Sequence, residues 1–478
     1  MSGALEGIYD PGIVDPSVPV SNPTIPFWHS SPHKFANHQS HWPTDYADVV
    51  IIGSGVSGMT LVRTLLSLNP TIKIVLVEAR SLCSGATGRN GGHIKTMTFA
   101  MWEERKRSFG IEEAARISEF EHSHLQAMAE AIHEDGLASH CDLQLTEGVE
   151  AYYDAKSFDE AVQALGDMRV HVPHLAAKHR VYTGDDMDRL QKTLKLSLRC
   201  IGAIGVPAAS LWPYKWVTGV LGQFIESGKL NVQTHTTVQQ VLEQGQDFAT
   251  VRTTRGDIKA KNVVHATNAW LGHLLPELQP YISPVRGNVV RYKALPQITQ
   301  STDGSSSNAS ALGLNGQFSY WLRYGEKDYD YLIQRKDGDI VVGRANTGRK
   351  ATADDSATDL TPMAHLRGLG DEVVASPVQG SSAYITHAWS GILAFSQDGM
   401  PFAGRLPGRK HQWVCGGYHA TGMIKAFRTS QFVANLIVGK AEDTIGDYPL
   451  SILVTENRIK ALRRSLDLGQ AAVVTFKL

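Results

Sequence analysis

The chain carries a glycine-rich turn directly after an apolar, β-branched run, Val49 to Ile52. Such a run is typical of a parallel strand that is buried on both faces. The turn reads Gly53-Ser54-Gly55-Val56-Ser57-Gly58, with the spacing G-x-G-x-x-G. In this spacing the first glycine permits the tight turn, the second lets a pyrophosphate approach the backbone, and the third lets the next helix lie close to the strand. The pattern predicts a dinucleotide-binding site.

A second apolar run, Ile74 to Val77, ends at Glu78. This residue is about 20 positions beyond the last glycine, where a carboxylate accepts hydrogen bonds from the ribose. A free carboxylate there repels a 2′-phosphate, which disfavours NADP. The second strand and its acidic residue also argue against an ordinary glycine-rich turn that binds no nucleotide. These residues leave NAD and FAD open.

The composition is that of an ordinary globular protein of about two or three domains. Hydrophobic residues make up 42% of the chain and charged residues 19%, and the formal net charge is −1. A net charge this small produces no overall electrostatic field that would attract nucleic acid or an anionic membrane. No apolar run reaches the ~20 residues of a membrane span, and no signal peptide is evident. We expect an intracellular, cytoplasmic protein, with peroxisomal import as the alternative because Phe476-Lys477-Leu478 matches two positions of S-K-L.

The four cysteines have neither C-x-x-C nor metal-ligand spacing, and no histidine cluster completes a metal site. We expect unpaired thiols and no metal at Cys83, Cys141, Cys200 and Cys415.

Residues 1–46 hold seven prolines and little periodicity, which predicts an irregular, extended arm. Phe27, Trp28 and Trp42 indicate that this arm contacts the body of the protein. Further along, residues 99–137 have one apolar face and predict a long helix. Residues 300–316 and the polar stretch from Thr352 to Asp359 have the composition of mobile linkers.

Helices are also predicted near residues 157–168, 214–225 and 423–438. Short strands are predicted at residues 230–234, 237–242, 249–254 and 258–264, as a meander that returns to a buried strand, and further strands at 143–153, 289–292, 329–334 and 340–343.

Six motifs follow one another along the chain: residues 53–58 with Glu78, SGATGRNGGH at 84–93, VVHATNAW at 263–270, PVRG at 284–287, WSGILAFSQDGMPFAG at 389–404 and GGYHATGM at 416–423. Together they resemble the D-amino-acid oxidase superfamily of flavoproteins. The resemblance covers about residues 27–440 and is greatest toward the γ-glutamylputrescine oxidase branch and its fungal relatives. It implies non-covalent FAD as the cofactor in place of NAD.

The resemblance implies an α/β protein with a Rossmann-like FAD-binding domain of the glutathione-reductase type and an α+β, sheet-based substrate domain. It assigns residues 47–98, 203–284 and 385–445 to the FAD-binding domain and residues 99–202 and 285–384 to the substrate domain, between an arm at 1–46 and a C-terminal extension at 446–478.

The resemblance also implies a set of FAD contacts, in which the backbone N–H groups of residues 417–423 serve the flavin pyrimidine ring. The set comprises Gly53, Gly55, Val56, Ser57, Gly58, Glu78, Ala79, Arg80, Gly85, Ala86, Thr87, Arg89, Asn90, Gly91, Gly92, His93, Val238, Ala266, Thr267, Asn268, Trp270, Gly391, Asp398, Gly417, Tyr418, His419, Ala420, Thr421, Gly422 and Met423. The candidate catalytic groups are His93, Lys95, His419 and Lys425, with a structural or surface role as the alternative for each.

Three positions depart from the superfamily pattern. Amino-acid oxidases carry a carboxylate-binding arginine five residues before the aspartate of D-G-x-P, where this chain has Leu393. Val341 stands where the sarcosine-oxidase branch has an oxygen-activating lysine. The cysteine that attaches FAD covalently in some members is absent near Trp389 and Ser390. We therefore expect dissociable FAD and a substrate other than a simple α-amino acid.

The implied function is that of a flavin oxidase acting on a carbon–nitrogen bond. A neutral amine or N-substituted amino compound loses hydride to flavin N5, the imine hydrolyses, and O2 is converted to hydrogen peroxide. This chemistry needs a dry pocket and a fixed positive charge near the flavin. The alternatives are a dehydrogenase that uses another acceptor and a flavin-containing protein with little oxidase activity. The substrate and the oligomeric state do not follow from the sequence.

Overall fold

The computed structural model describes residues 14–97, 99–183, 187–243, 247–293, 318–325, 328–344, 351–373, 384–440, 446 and 448–468. The predicted linker at 300–316 and the C-terminal residues 476–478 lie outside these ranges.

The described strands are β1 Ala47–Ile52, β2 Ile74–Val77, β3 His93–Ile94, β4 Gln144–Tyr152, β5 Arg180–Tyr182, β6 Gly202–Ser210, β7 Leu230–Gln233, β8 Val238–Leu242, β9 Ala249–Thr253, β10 Gly256–His265, β11 Ile282–Lys293, β12 Phe318–Arg323, β13 Tyr329–Gln334, β14 Ile340–Arg344, β15 Tyr384–Ser396, β16 Phe402–Arg405 and β17 Gln412–Gly416. The described helices are α1 Val56–Leu68, α2 Trp102–Phe109, α3 Ile111–Glu134, α4 Ala155–His171, α5 Pro173–Ala176, α6 Met187–Lys192, α7 Pro213–Glu226, α8 Leu271–Leu274, α9 Leu360–Val373, α10 Ala426–Ile437 and α11 Glu456–Leu468.

The first sheet is built around β1, in the order β16-β17-β10-β1-β2-β7, with β9 on β10 and β8 on β9. β1 is parallel to β2 and β10, which are parallel to β7 and β17 respectively. Val49, Val50 and Ile51 have no solvent exposure, as expected for a strand that is covered on both faces. The parallel strand pair, the helix between them and the β8–β10 part of the meander are confirmed, but the strand predicted first in the meander, at residues 230–234, is β7 and pairs in parallel with β2.

The second sheet has the order β15-β11-β14-β13-β12-β4-β6-β3, with β5 beside β6. β11 and β15 are long antiparallel strands that pair from Ile282 with Ser396 to Lys293 with Tyr384. β12 is parallel to β4, and the other pairs in this sheet are antiparallel. Two sheets with surrounding helices confirm the predicted α/β fold class with a second, sheet-based unit.

The strand pairing divides the chain differently from the predicted boundaries. β3, and all but the first residue of β6 and of β15, fall within the segments assigned to the FAD-binding domain, yet all three strands belong to the second sheet. Pairing partners far away in sequence decide this, and motif positions do not reveal them. In particular, β3 carries the chain from the glycine-dense loop of residues 84–93 straight onto the second sheet, beside β6.

Two local expectations are corrected. The single helix predicted over residues 99–137 is two helices, because Gly110 between them has φ of +81° and ends α2. The stretch from Thr352 to Asp359 is not a mobile linker. Its Asp355 is fully buried, and the Thr352 N–H donates to the Pro284 carbonyl oxygen at 2.8 Å.

The N-terminal arm is irregular from residue 14 to residue 46 apart from a short 3-10 helix, Phe27–His29. Phe27 and Trp28 are buried. The indole N–H of Trp28 donates to the Asn90 carbonyl oxygen at 2.6 Å, and that of Trp212 donates to the Trp28 carbonyl oxygen at 2.8 Å. The predicted contact of the arm with the body is confirmed.

All four cysteines are buried and unpaired. Within the described ranges, no group of three or more His, Cys, Asp or Glu side chains is placed to hold a metal ion. Among the described helices, none combines the length and the apolar character that crossing a bilayer requires.

Candidate active site

The glycine turn after β1 is fixed by close packing. Gly53 has φ of +106°, a conformation that other residues rarely adopt. A Cβ on Gly53 would lie 2.7 Å from the Ala266 carbonyl oxygen, and a Cβ on Gly58 would lie 2.0 Å from the Gly53 carbonyl oxygen. Glycine at both positions is therefore needed for β1, α1 and the end of β10 to meet.

The N-terminus of α1 opens on a cavity that Gly55, Val56 and Ser57 line. No side chain caps this helix, and the Val56 N–H donates to Thr87 Oγ1 at 3.0 Å. A Cβ on Gly55 would meet only the Thr87 side chain, and a Cβ on Gly85 would meet nothing within 4 Å. Space beside an uncapped helix N-terminus is the arrangement that binds phosphate groups.

Glu78 lines the same cavity at the end of β2. Its Oε2 accepts hydrogen bonds from the Ser54 N–H at 3.1 Å and the Ser54 hydroxyl at 2.6 Å, and its Oε1 accepts from the Arg80 N–H at 3.0 Å. These bonds fix the orientation of the carboxylate. Because each carboxylate oxygen accepts more than one bond, the ribose hydroxyls can still be bound.

Arg80 and Arg89 share the buried carboxylate of Asp355. Arg80 donates to both Asp355 oxygens at 3.0 to 3.2 Å, and Arg89 Nε lies 3.4 Å from Oδ2. Arg89 also donates to the carbonyl oxygens of Ser390 and Thr24, both at 2.7 Å. Burial lowers the pKa of Arg89 to about 10, although Asp355 opposes this. Arg89 lines the cavity, but its guanidinium is held by the protein.

The turn that follows β17 is held by Asn268. Asn268 has φ of +48°, and its Oδ1 accepts from the N–H groups of Gly417 and Tyr418 at 3.2 and 3.3 Å. His419 and Ala420 also have positive φ, of +48° and +59°. Such conformations cost energy and are often found at functional sites, where the surroundings enforce them. The residues that come next, 420–424, line the cavity.

At the other end of the cavity lies Lys95, just after β3. Its side chain is 3% exposed, and its Nζ has no hydrogen-bond partner among the described residues. The stem passes over Gly148 of β4, where a Cβ would lie 2.4 Å from Lys95 Cδ. Burial lowers the pKa of Lys95 well below its usual range, an effect that nearby Glu150 opposes. The structure thus keeps an unpaired amine at the cavity wall.

Aromatic rings surround this amine. Lys95 Nζ lies 4.9 Å from the centroid of the Trp321 ring, which is 4.9 Å from the ring of Tyr329. His93 lies 5.9 Å from the Trp321 ring and 5.2 Å from the Tyr331 ring. Burial, with the Lys95 charge as a smaller cause, lowers the pKa of His93 well below its usual range, so its imidazole is neutral. All five side chains line the cavity.

The other two candidate catalytic groups do not line the cavity. Lys425 Nζ donates to the Gly399 carbonyl oxygen at 3.1 Å and lies 3.7 Å from Glu121 Oε1, and burial lowers its pKa to about 8. His419 Nδ1 is 2.9 Å from the Ser396 carbonyl oxygen. These contacts place both groups in a buried network behind the turn of residues 417–421.

Asp398, a predicted FAD contact, faces α11. Its oxygens accept from Arg458 Nε and Nη2 at 2.8 and 2.9 Å, and both side chains are fully buried.

Most of the predicted FAD contacts line one cavity, and five do not: Gly58, Gly92, Asp398, Gly417 and His419. The sequence did not single out other residues of the lining, among them Ser17, Val18 and Pro19 of the arm, His273, Val289 and the aromatic residues Trp321, Tyr329 and Tyr331. The aromatic residues come from β12 and β13, and only their β-propensity was visible in the sequence.

These residues fit FAD. The uncapped helix N-terminus and the space beside Gly55 suit the diphosphate. Glu78 suits the ribose, and Thr267 Oγ1 and Trp270 Nε1 are buried polar atoms on the cavity without partners among the described residues. The cavity continues past Gly391 to the aromatic end, as the flavin ring requires.

Acid denaturation of the purified holoprotein should release free FAD, because the structure offers no thiol to attach it. Cys415, the cysteine nearest in sequence to the motif, bonds to the Tyr418 and Ser430 hydroxyls at 3.2 Å and does not line the cavity. The check is the flavin absorbance of the supernatant after precipitation. Flavin that remains with the precipitate would contradict this expectation and would point to His93.

Comparison with known proteins supports the same assignment. The model of FAD dependent oxidoreductases, the DAO family, matches residues 48–436. The chain is 24% identical over 400 residues to the probable oxidoreductase OrdL of Rhizobium meliloti, covering 83% of this chain and 84% of that protein. It is 26% identical over 299 residues to a glycine oxidase of Pseudomonas putida, covering 62% and 66%.

The fold is similar to the crystal structure of glycine oxidase from Geobacillus kaustophilus, with a TM-score of 0.67, 18% identity, and coverage of 86% of this chain and 99% of that chain. The family match confirms the resemblance seen in the motifs and FAD as the cofactor. The chain therefore belongs to the FAD dependent oxidoreductase family.

Proposed function

We propose that the protein is an oxidase of the carbon–nitrogen bond of an amine or N-substituted amino compound, with O2 as the electron acceptor and hydrogen peroxide as a product. The observation that carries this proposal is the unpaired Lys95 amine among aromatic rings, in the cavity that the glycine turn opens. The name of the Pseudomonas putida relative, a glycine oxidase, also favours an amino compound. The greater resemblance to the γ-glutamylputrescine oxidase branch stays a prediction.

The charges around the aromatic end favour a neutral amine. Glu78 is the one carboxylate among the described residues that line the cavity, and it belongs to the glycine-turn end. A protonated substrate amine would therefore find no carboxylate partner on this wall, and burial without such a partner lowers the pKa of an amine. The aromatic end of the cavity therefore binds the neutral form of the amine. The lone pair of this form assists loss of hydride from the adjacent carbon.

The chain's own side chains prepare the reaction without taking part in covalent bonds. FAD, when bound, supplies the ring that accepts two electrons from the substrate. Trp321, Tyr329 and Tyr331 orient the substrate and keep the site dry, which strengthens the electrostatic effect of Lys95. Negative charge that develops nearby during electron transfer to FAD and to O2 raises the pKa of this buried amine, so Lys95 takes up a proton as that charge forms and stabilises it.

Leu393 lines the cavity on β15, at the position of the carboxylate-binding arginine in related oxidases. A bidentate arginine–carboxylate pair is strong, and an apolar side chain cannot replace it. Of the candidate catalytic groups, Lys95 and Lys425 have the amines that could bind a carboxylate in its place. Since Lys425 is engaged by Glu121 behind the turn, a substrate carboxylate would have to use Lys95. Larger amines and N-substituted compounds are thus the expected substrates, ahead of small α-amino acids.

The test is anaerobic mixing of the holoprotein with alanine, glycine, proline, sarcosine and a polyamine series at equal concentration, followed by air. We expect flavin bleaching by a polyamine or N-substituted compound, and one equivalent of peroxide on reoxidation. Bleaching followed by reoxidation with an artificial acceptor alone would show the dehydrogenase alternative. Bleaching by no compound, with photoreduced flavin that air reoxidises slowly, would favour a flavin-containing protein with little oxidase activity.

Replacing Lys95 with methionine should slow flavin reduction or reoxidation by about 100-fold, the usual loss when a preorganised stabilising group is removed. The same change should leave stability unchanged or raise it, because a buried polar group without a hydrogen-bond partner is removed. Lys215→Met is the matched control, since Lys215 also lies over a tryptophan, Trp212, at 4.2 Å but does not line the cavity. Equal rates in both variants would contradict the role of Lys95.

A further inference from the structure

Part of the N-terminal arm forms a wall of the cavity. Ser17, Val18 and Pro19 line it together with the glycine turn and Glu78. These residues belong to neither sheet, and the family match begins only at residue 48. The contact is therefore made by a segment outside the part of the chain that the family match covers.

The segment from residue 15 to residue 20 is tied to the body on both sides of β1. On one side, Asp15 Oδ1 lies 3.0 Å from Nδ1 of His273 in α8, which follows β10. On the other side, the Val20 carbonyl oxygen accepts from Arg80 Nη1 at 3.5 Å, and Arg80 follows β2. Because β1 lies between β10 and β2, the segment spans the carboxyl end of β1, where the glycine turn opens.

The two ends of this segment are held with very different strength. Beyond Val20, Thr24 is bonded through its carbonyl oxygen to Arg89 at 2.7 Å and through its N–H to Asp355 at 2.8 Å. In contrast, the Asp15–His273 pair is partly exposed, and pairs of this kind contribute about 0–1 kcal/mol. The structure thus has a firm attachment at Thr24 and a weak one at Asp15.

Contacts within the segment and its two prolines restrict its shape. Ser17 has φ of +56°, and its N–H donates to Asp15 Oδ1 at 2.8 Å. Pro16 and Pro19 restrict the backbone on either side of Ser17 and Val18. Little conformational entropy is therefore lost when the segment settles on a ligand, which is the general advantage of a preorganised contact.

We propose that residues 15–20 are a clasp that closes over the adenosine half of bound FAD and slows its dissociation. The clasp detaches at Asp15, pivots between Val20 and Thr24, and admits the cofactor to the end of the cavity that Glu78 and Val238 line. Once the Asp15–His273 pair has re-formed, FAD can leave only after that pair opens again. This assignment concerns cofactor retention and is independent of the substrate and the electron acceptor.

The test is the rate at which holoprotein loses FAD, measured by trapping released FAD with an excess of an unrelated apoflavoprotein. The triple variant Ser17→Gly, Val18→Gly, Pro19→Gly removes the contacting side chains and the backbone restriction. We expect dissociation about 10-fold faster, with an association rate changed less than about 3-fold, because contacts made after entry act mainly on dissociation. Pro43→Gly, in the same arm but not on the cavity, should release FAD at the wild-type rate.

Two further measurements keep the assignment falsifiable if the triple variant folds poorly. Asp15→Ala, an exposed change, should speed release, and Asp15→Asn should largely restore retention because its amide oxygen still accepts from Ser17 and His273. FAD should also protect the arm from protease cleavage near Val18, which is 41% exposed. Release from Asp15→Ala within about twofold of wild type, or equal cleavage with and without FAD, would overturn the clasp.

Discussion

Replacing Asp355 with alanine is expected to lower the free energy of unfolding by about 3–5 kcal/mol, the cost of removing one partner of a buried ion pair. Asp355 has no exposed surface, and its carboxylate holds Arg80 and Arg89 together. Without it, two guanidinium groups would face each other away from water. The loss should also lower the FAD content, since both arginines lie on the loops that line the cavity.

Urea unfolding of the full chain measures this loss directly. Asp355→Asn keeps acceptor capacity but removes the charge, so its effect should lie between those of wild type and alanine. Asp188→Ala is the control, because its pair with Lys192 is exposed and contributes about 0.3–0.5 kcal/mol. An Asp355→Ala protein as stable as the control would show that the two arginines find other partners, and the account of this cluster would be wrong.

The sequence alone predicted the features that depend on residues close to one another in the chain. The glycine turn, the strands beside it and Glu78 follow from steric and hydrogen-bonding demands that lie within one segment of about 30 residues. The break between α2 and α3 was missed, although it also depends on a single local residue, Gly110, inside an otherwise helical pattern. At each of these positions, few other residue types would meet the local steric or hydrogen-bonding demand.

The sequence did not reveal the contacts between residues that lie far apart in the chain. Asp355 lies in a polar stretch that looks like a linker, and nothing nearby shows that Arg80, 275 residues away, will be its partner. Lys95 and Lys425 both follow glycine-rich motifs, yet one reaches the cavity and the other reaches Glu121. The difference arises because α3 packs behind the turn of residues 417–421 and brings Glu121 to Lys425.

Replacing Gly55 with valine should abolish FAD binding while leaving a folded protein. Gly55 has φ of −71° and ψ of −169°, which any residue can adopt. A new Cβ would meet only the Thr87 side chain, with Oγ1 at 3.0 Å. The two valine methyl groups would instead project into the space beside the first N–H groups of α1, where the diphosphate must lie.

The expected size of the effect follows from the bonds that are lost. Hydrogen bonds from N–H groups to a charged phosphate are worth about 1.5–3 kcal/mol each, so losing two of them weakens FAD binding by at least about 100-fold. The checks are the flavin-to-protein ratio after purification and the affinity of the apoprotein for added FAD. Gly166→Val in α4 is the matched control, because a Cβ there meets nothing within 4 Å and lies off the cavity. If Gly55→Val retained FAD at the level of this control, the diphosphate could not lie at the N-terminus of α1, and the position of the whole cofactor along the cavity would have to be assigned again.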